Sequence, residues 1–304
     1  MSEARNQIKC KCCDGHADFF GAVDFAKTCE DRKDSAFPPA GRPVPYFRCR
    51  HCGFVFTTFC DAWSAKRMAD EIYNDEYVLA DPEFIEKRPR HFSGILTELF
   101  GRQRLTISIL DYGGGRGTLA SLLRNAGFVD CATFDPFFGE TAVFRRRHDL
   151  VTAFEVVEHS RDPLGTFRDA LSYMAAGGAL LFTTTVQPDP VDPHWWYIAP
   201  RNGHVSIHTT LSLSELARRC GAYYFSFDPN LHMLYRDKRS PVARTIVRNL
   251  AKGTLFHASR QGFPAYVRAA YRIALMGIVR PAVNPRHFLR TLIYSVKSAP
   301  NVES

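Results

Sequence analysis

At 304 residues, with 45% hydrophobic and 23% charged side chains, the chain has the composition of a globular protein, long enough for one large domain or two smaller ones. No stretch approaches the ~20 consecutive apolar residues of a membrane span. The opening Met-Ser-Glu-Ala-Arg-Asn-Gln lacks the apolar core of a secretory signal, which predicts a cytoplasmic protein. The net charge of +8 is uneven: Lys238 to Ser304 hold twelve Lys or Arg against the single acid Glu303, leaving a net −3 for the rest, so charge alone is no argument for nucleic-acid binding.

Nine cysteines, an odd number, predict reduced thiols or metal ligands rather than a disulfide framework. Cys10-Lys-Cys12-Cys13-Asp-Gly and Cys49-Arg-His-Cys52-Gly form two Cys-x-x-Cys knuckles. Two thiolates of one tight turn reach the same ion, and two such turns complete a tetrahedron. The expected ligands of a structural Zn²⁺ are Cys10, Cys13, Cys49 and Cys52, with Cys12 a strained substitute for Cys10 and His51 a fallback. The plainer alternative is four reduced thiols left from a lost site. Residues 1–60 are thus expected to be a zinc-knuckle module, with Pro38 to Pro43 looping out between the knuckles. Residues 61–100 read as a helical lid or linker. Tyr73 and Tyr77, at i and i+4, would share a helix face and roof a site, or simply pack.

Ile107, Ile109 and Leu110 suit a buried strand that ends at Asp111. Gly113, Gly115 and Gly117 follow, where the chain turns sharply and a ligand can touch backbone. A helix begins at Thr118 and offers free N–H groups. A second strand, Asp130 to Phe134, ends at Asp135, placed to accept hydrogen bonds from a ribose. Strand, glycine turn, helix, strand and acid make a nucleoside-binding half-fold. Gly115-Arg-Gly117-Thr-Leu-Ala120 also fits a dinucleotide fingerprint, so an NAD-dependent reductase is one alternative. Asp111 favours S-adenosylmethionine (SAM) instead, since an acid there can face its amino group.

Further along come Asp149-Leu-Val-Thr-Ala-Phe-Glu-Val-Val-Glu-His159, Asp162-Pro163 and Ala176-Gly-Gly-Ala-Leu-Leu-Phe-Thr-Thr-Thr185. With the D-x-G-x-G-x-G turn and the strand-end acid, residues 90 to 236 resemble the class I SAM-dependent methyltransferases. The resemblance implies a Rossmann-like α/β fold with a seven-stranded sheet over residues 101–238. It implies that Asp111, Gly113, Gly115 and Gly117 surround the methionine end of SAM and that Asp135 holds the ribose. Phe154, Glu155 and Glu158 would then lie near the cofactor or the substrate mouth. Only 13 residues separate Asp135 from Asp149, too few for a helix and third strand, so the family's acid beside adenine is not identifiable; Phe134, Pro136, Phe137 and Phe138 are candidates to enclose the ring.

The knuckles followed by Tyr73-Asn-Asp-Glu-Tyr77 resemble small-molecule and sugar methyltransferases with an N-terminal zinc-binding region. The loop after Thr185 is dense in Trp, Tyr, His and Arg, and loops leaving parallel strands border the ligand crevice. Tyr77, Trp195 and Trp196 are candidate contacts for a sugar or base ring, and Arg201 for a phosphate or carboxylate. His204 resembles the histidine in the E-H-x-x-x-y-s segment of zinc-bearing sugar C-methyltransferases, although Gly203 stands where their glutamate would be. His204 is the first candidate base, His208 the second and His159 the third. The small-molecule acceptor is expected to be a sugar or nucleotide-linked sugar, methylated at oxygen or carbon. An RNA methyltransferase and a non-catalytic SAM-binding scaffold are the rivals. Residues 239–304 read as a basic helical extension with i, i+4 pairs Arg244/Arg248 and Arg268/Arg272, either packed on the core or touching an anionic membrane or phosphorylated substrate.

Overall fold

The computed structural model describes residues 8–32, 37–135 and 146–261. Two sheets account for the strands among them. The larger sheet holds β5 (Ser108–Tyr112), β6 (Asp130–Phe134), β7 (His148–Ala153), β8 (Met174–Thr183), β10 (Tyr223–Ser226) and β11 (Leu231–Tyr235), in the order β10-β11-β8-β7-β5-β6. β6, β5, β7 and β8 run parallel, while β11 and β10 close the edge antiparallel. Every residue of β5 is buried, as expected of a central strand covered on both faces. Six strands replace the predicted seven among the described residues. Residues 136–145, between β6 and β7, lie outside the described residues.

The helices follow their local signals. α4 (Thr118–Asn125) starts from Gly117 in the left-handed region, with no side-chain cap on its first turn. α5 (Pro163–Ser172) has Pro163 in its first turn, and Asp162 caps the Gly165 N–H. α6 (Thr210–Arg219) opens with a capping box between Thr209 and Ser212. Upstream lie α1 (Ala65–Glu71), α2 (Tyr77–Ala80) and α3 (Lys87–Phe100). Tyr73 therefore falls in the turn between α1 and α2, not on one helix with Tyr77, although their rings still meet edge to face at 5.2 Å.

The second sheet is antiparallel, in the order β1 (Ile8–Lys9), β2 (His16–Asp24), β3 (Pro43–Cys49), β4 (Val55–Phe56), β9 (Ser206–Ile207). Its last strand comes from the loop after β8: Val55 pairs with Ile207 and Phe56 with Ser206. Phe54 and Phe56 join one buried cluster with Leu110, Val151, Leu180 and Leu213. The sheet of the knuckles thus takes its last strand from the loop after β8 and shares a core with the larger sheet. Contacts divide the chain between Ala243 and Arg244. α7 (Pro241–Gln261) carries Arg244 and Arg248 exposed, while Arg268 and Arg272 lie outside the described residues. No described helix is long and apolar enough to cross a membrane.

Candidate active site

The turn after β5 depends on its glycines. Gly113, Gly115 and Gly117 have φ of +72°, +56° and +79°, a region costly for residues with a Cβ. A Cβ on Gly114 would lie 2.1 Å from Asp111 Oδ2, and one on Gly113 would lie 2.6 Å from Val156. At Gly115 a Cβ would meet nothing within 4 Å, so the turn is open on that side. The Gly113 N–H donates to the Phe134 carbonyl at 2.7 Å, and the Gly115 N–H to the Asp135 carboxylate at 2.9 Å. The turn is thereby tied to the tip of β6.

Asp111 sits beneath this turn, buried, and accepts from the Thr152 hydroxyl at 3.0 Å. Burial pushes its carboxyl up to about 7, Thr152 opposes the shift and the nearby Asp135 adds to it. An ammonium arriving above the turn would stabilise both acids. Pro136, Phe137 and Phe138 lie outside the described residues.

The segment leaving β7 reaches the same place through Val156. Phe154 stacks on Phe92 of α3 at 4.1 Å. Glu155 holds φ +56°, an uncommon conformation for a residue with a side chain. Its N–H donates to Thr183 Oγ1 and its carboxylate accepts from the same hydroxyl, each at 2.8 Å. Arg88 of α3 bridges Asp81 at 2.6 Å and Glu155 at 3.6 Å. Burial raises the Asp81 carboxyl and Arg88 pulls it back. This link between lid and core has no sequence signal, because Arg88 and Glu155 are 67 residues apart and neither belongs to a spaced motif with the other.

Glu158 is fully buried, and neither carboxylate oxygen has a hydrogen-bond partner among the described residues. Burial pushes it well above the ordinary range, with Glu155 adding to the shift. The Tyr197 hydroxyl lies near enough to offset this in part, but its well-formed hydrogen bond is from the Thr185 N–H at 3.2 Å. Beside Glu158, His159 Nδ1 lies 3.2 Å from the Gly203 carbonyl, and His204 Nδ1 lies 2.8 Å from the Tyr197 carbonyl. A carbonyl only accepts, so each Nδ1 carries the hydrogen and each neutral ring keeps its lone pair on Nε2. Burial drives both toward the neutral form: His159 falls to about 4, and His204 falls well below its usual value, with His159 contributing. The two rings are 5.0 Å apart. Gly203 permits this approach, since a Cβ there would lie 2.7 Å from the Tyr73 hydroxyl and 3.1 Å from His159 Nδ1.

Other predicted contacts land elsewhere. His208 is fully buried against the Phe54 ring at 4.9 Å, with Nδ1 3.3 Å from Ser212, and burial lowers it to about 3. Phe54 on one side and Ser212 of α6 on the other hold its ring inside the core. Arg201 is also buried: it donates to the Ile72 carbonyl at 2.6 Å and to Asn74 at 2.9 Å, and it covers the Phe37 ring. Those bonds tie the loop after β8 to the turn between α1 and α2. Trp195 and Trp196 pack on the cluster that includes Tyr46 and Val55, their loop fastened by Lys27 to the Trp195 and Ile198 carbonyls. Tyr77 is buried, with its hydroxyl donating to the Asn202 carbonyl at 3.2 Å. Tyr77 is thus buried, whereas both Trp rings are half-buried against that cluster.

At the knuckles, the Sγ atoms of Cys10, Cys13, Cys49 and Cys52 all lie within 4.8 Å of one another, with Cys10–Cys52 at 3.6 Å and Cys13–Cys49 at 3.5 Å. A tetrahedron of ~2.3 Å Zn–S bonds has edges of roughly 3.8 Å, so the donor set fits Zn²⁺. The Cys12 N–H points at Cys10 Sγ at 3.4 Å, and the His51 and Cys52 N–H groups point at Cys49 Sγ at 3.4 and 3.5 Å. Hydrogen bonds from Cys12 and Cys52 lower the Cys10 thiol to about 2; the hydrogen bond to Cys10, with burial, raises Cys52, and burial lifts Cys13 to about 11. Cys12 is packed behind the cluster and is not one of its four donors.

A family model described as "Methyltransferase domain" matches residues 84–226. These residues form a methyltransferase domain of the class I SAM-dependent fold. No curated protein matches the chain. Among solved structures, the methyltransferase domain is similar to TnmH, at 13% identity over 53% of this chain and 61% of that one, with a TM-score of 0.36. It is similar to NcsB1, an O-methyltransferase from neocarzinostatin biosynthesis in complex with SAM and 2-hydroxy-5-methyl naphthoic acid, at 15% identity over 52% and 59%, with a TM-score of 0.34. An O-methyltransferase family protein from Burkholderia thailandensis gives 17% over 57% and 68%, with a TM-score of 0.33. The chain spans less than two thirds of the length of the first two. The assignment rests on the family match and the strand order, not on these similarities.

Proposed function

We propose that the chain transfers a methyl group from SAM to an oxygen or carbon of a small molecule, with a sugar or nucleotide-linked sugar as the leading acceptor. The observation that carries this reading is the contact of Gly113 with Val156. It brings the glycine turn against the segment bearing Glu155, Glu158 and His159, so donor-holding and acceptor-side groups share one end of the sheet. Asp111, Gly113, Gly115, Gly117 and Asp135 would hold SAM, and Phe154, Glu155 and Glu158 would flank it. The turn fits that group: it is open at Gly115, has acids below and beside it, and leads into a helix whose first turn has no side-chain cap.

SAM bound there supplies a sulfonium methyl open to direct displacement, for which positioning is the main contribution. The chain's own part is to hold the acceptor and receive its proton or charge. His159 and His204, with unprotonated Nε2 atoms beside the carboxylate of Glu158, are the groups suited to that role. The cysteine cluster would hold one structural Zn²⁺, and a closed four-thiolate site leaves no position for substrate. In α7, exposed Arg244 and Arg248 support contact of residues 239–304 with a phosphorylated acceptor or an anionic membrane.

The test is release of S-adenosylhomocysteine from SAM across a panel of sugars, nucleotide sugars, phenols and RNA. Turnover on a small hydroxylated acceptor, lowered at least a hundredfold in His204→Ala, is expected. Turnover on RNA alone, or on nothing despite donor binding, would contradict the reading.

A further inference from the structure

Glu158, His159 and His204 each offer a donor atom, and these atoms lie within 4.8 Å of one another. His159 Nε2 is 4.0 Å from Glu158 Oε1. Glu158 is fully buried with both oxygens lacking a hydrogen-bond partner among the described residues. A buried carboxyl with no partner either keeps its proton or is met by a cation or donor. Both histidines have Nδ1–H fixed on backbone carbonyls, at Gly203 and Tyr197, which aims an Nε2 lone pair away from each carbonyl. Carbonyl-anchored imidazoles are the usual second layer behind a metal-bound histidine. Gly203 keeps the two rings close, since a side chain there would strike His159.

We propose that Glu158, His159 and His204 form a divalent-cation site, distinct from the cysteine cluster, that takes Mn²⁺, Zn²⁺ or a similar borderline ion. Two imidazoles and a carboxylate suit such ions and suit Mg²⁺ poorly. Contraction of the three side chains by about an ångström brings their donors to bonding distance. Three protein ligands leave positions for water or for the acceptor, and this deepens the proposed methyltransferase reading by naming how the acceptor is held. With both histidines serving as ligands rather than as bases, a hydroxyl held there would give its proton to water; its electron pair would form the O–CH₃ bond as the S–CH₃ bond breaks, and neutral S-adenosylhomocysteine would depart. The acceptor class is then one whose hydroxyl has a neighbouring oxygen, such as a vicinal diol or catechol able to chelate the ion.

Mn²⁺ discriminates this site from the thiolate cluster, because it is harder than Zn²⁺ and prefers nitrogen and oxygen to sulfur. The full chain, stripped of loosely held metal by EDTA, is titrated with Mn²⁺ while electron paramagnetic resonance reads the free ion. One Mn²⁺ per chain is expected, bound at least tenfold more weakly by Glu158→Gln and by His204→Gln. The bound ion in the wild type should show hyperfine coupling to imidazole nitrogen, a readout that does not depend on either variant folding. Absence of stoichiometric Mn²⁺ in the wild type, absence of nitrogen coupling, or equal binding by Glu158→Gln would overturn the proposal. Mn²⁺ bound as described without methyl transfer would sink the acceptor chemistry while leaving the ion site intact.

Discussion

Asp111 shows how one residue serves the fold and the site with opposite demands. Its carboxyl is raised to about 7 by burial, whereas it titrates near 4 in the unfolded chain. Ionisation is therefore easier unfolded, and stability is lost as pH rises from about 4 to about 7. Asp111→Asn keeps an acceptor for Thr152 and removes this penalty. Its stability advantage over wild type should be larger at pH 8 than at pH 5, by ~2 kcal/mol, as read from urea midpoints. An equal gap at both pH values would show that the carboxyl carries no such cost. The glycines above Asp111 were legible because positive φ and close approach leave a mark at fixed spacing. The histidines were not so sharply legible. His159, His204 and His208 look alike in a sequence, and only Phe54, just before β4 and more than 150 residues earlier, shows that His208 packs in the core.

At the level of elements, the knuckles are fastened to α6 and to the loop after β8. Thr209 donates to the Cys52 carbonyl at 2.6 Å, Gln187 to the Gly53 carbonyl at 2.6 Å and Arg219 to the Cys12 carbonyl at 2.7 Å. Metal held by the four cysteines would consequently stiffen α6 as well as its own turns. Purified protein should contain about one tightly held zinc per chain at this cluster. Cys49→Ser should lose it, lower the thermal midpoint by more than about 5 °C and speed amide exchange in Thr210–Arg219. Unchanged exchange in α6 would show that the cluster is energetically separate. The Cys-x-x-Cys spacing gave away the knuckles because both ligands of a pair lie in one turn. Nothing in residues 1–60 announced that Ser206–Ile207 would complete their sheet, since a two-residue strand has no periodicity to read. Arg201 was misleading for a related reason: its partners are the Ile72 carbonyl and Asn74, and backbone acceptors carry no signature.

Across the whole molecule, the order of parallel strands sets the chemistry. β5 has β6 on one side and β7 on the other, so the chain departs in opposite directions at that point and opens a crevice at the carboxyl ends. The glycine turn, Asp135 and the segment from Phe154 to His159 all follow those ends. The methyltransferase domain was readable from the ordered motifs, because each motif marks a strand end that faces the crevice. The proposed acceptor groups were less so, because Glu158 and His159 follow β7 while His204 comes from the loop after β8. Calorimetry with S-adenosylhomocysteine tests the central claim most directly. Wild type should bind one equivalent, and Asp135→Asn should bind at least tenfold more weakly, as expected for the loss of a charge-assisted hydrogen bond. No binding by the wild type, or equal binding by Asp135→Asn, would contradict it.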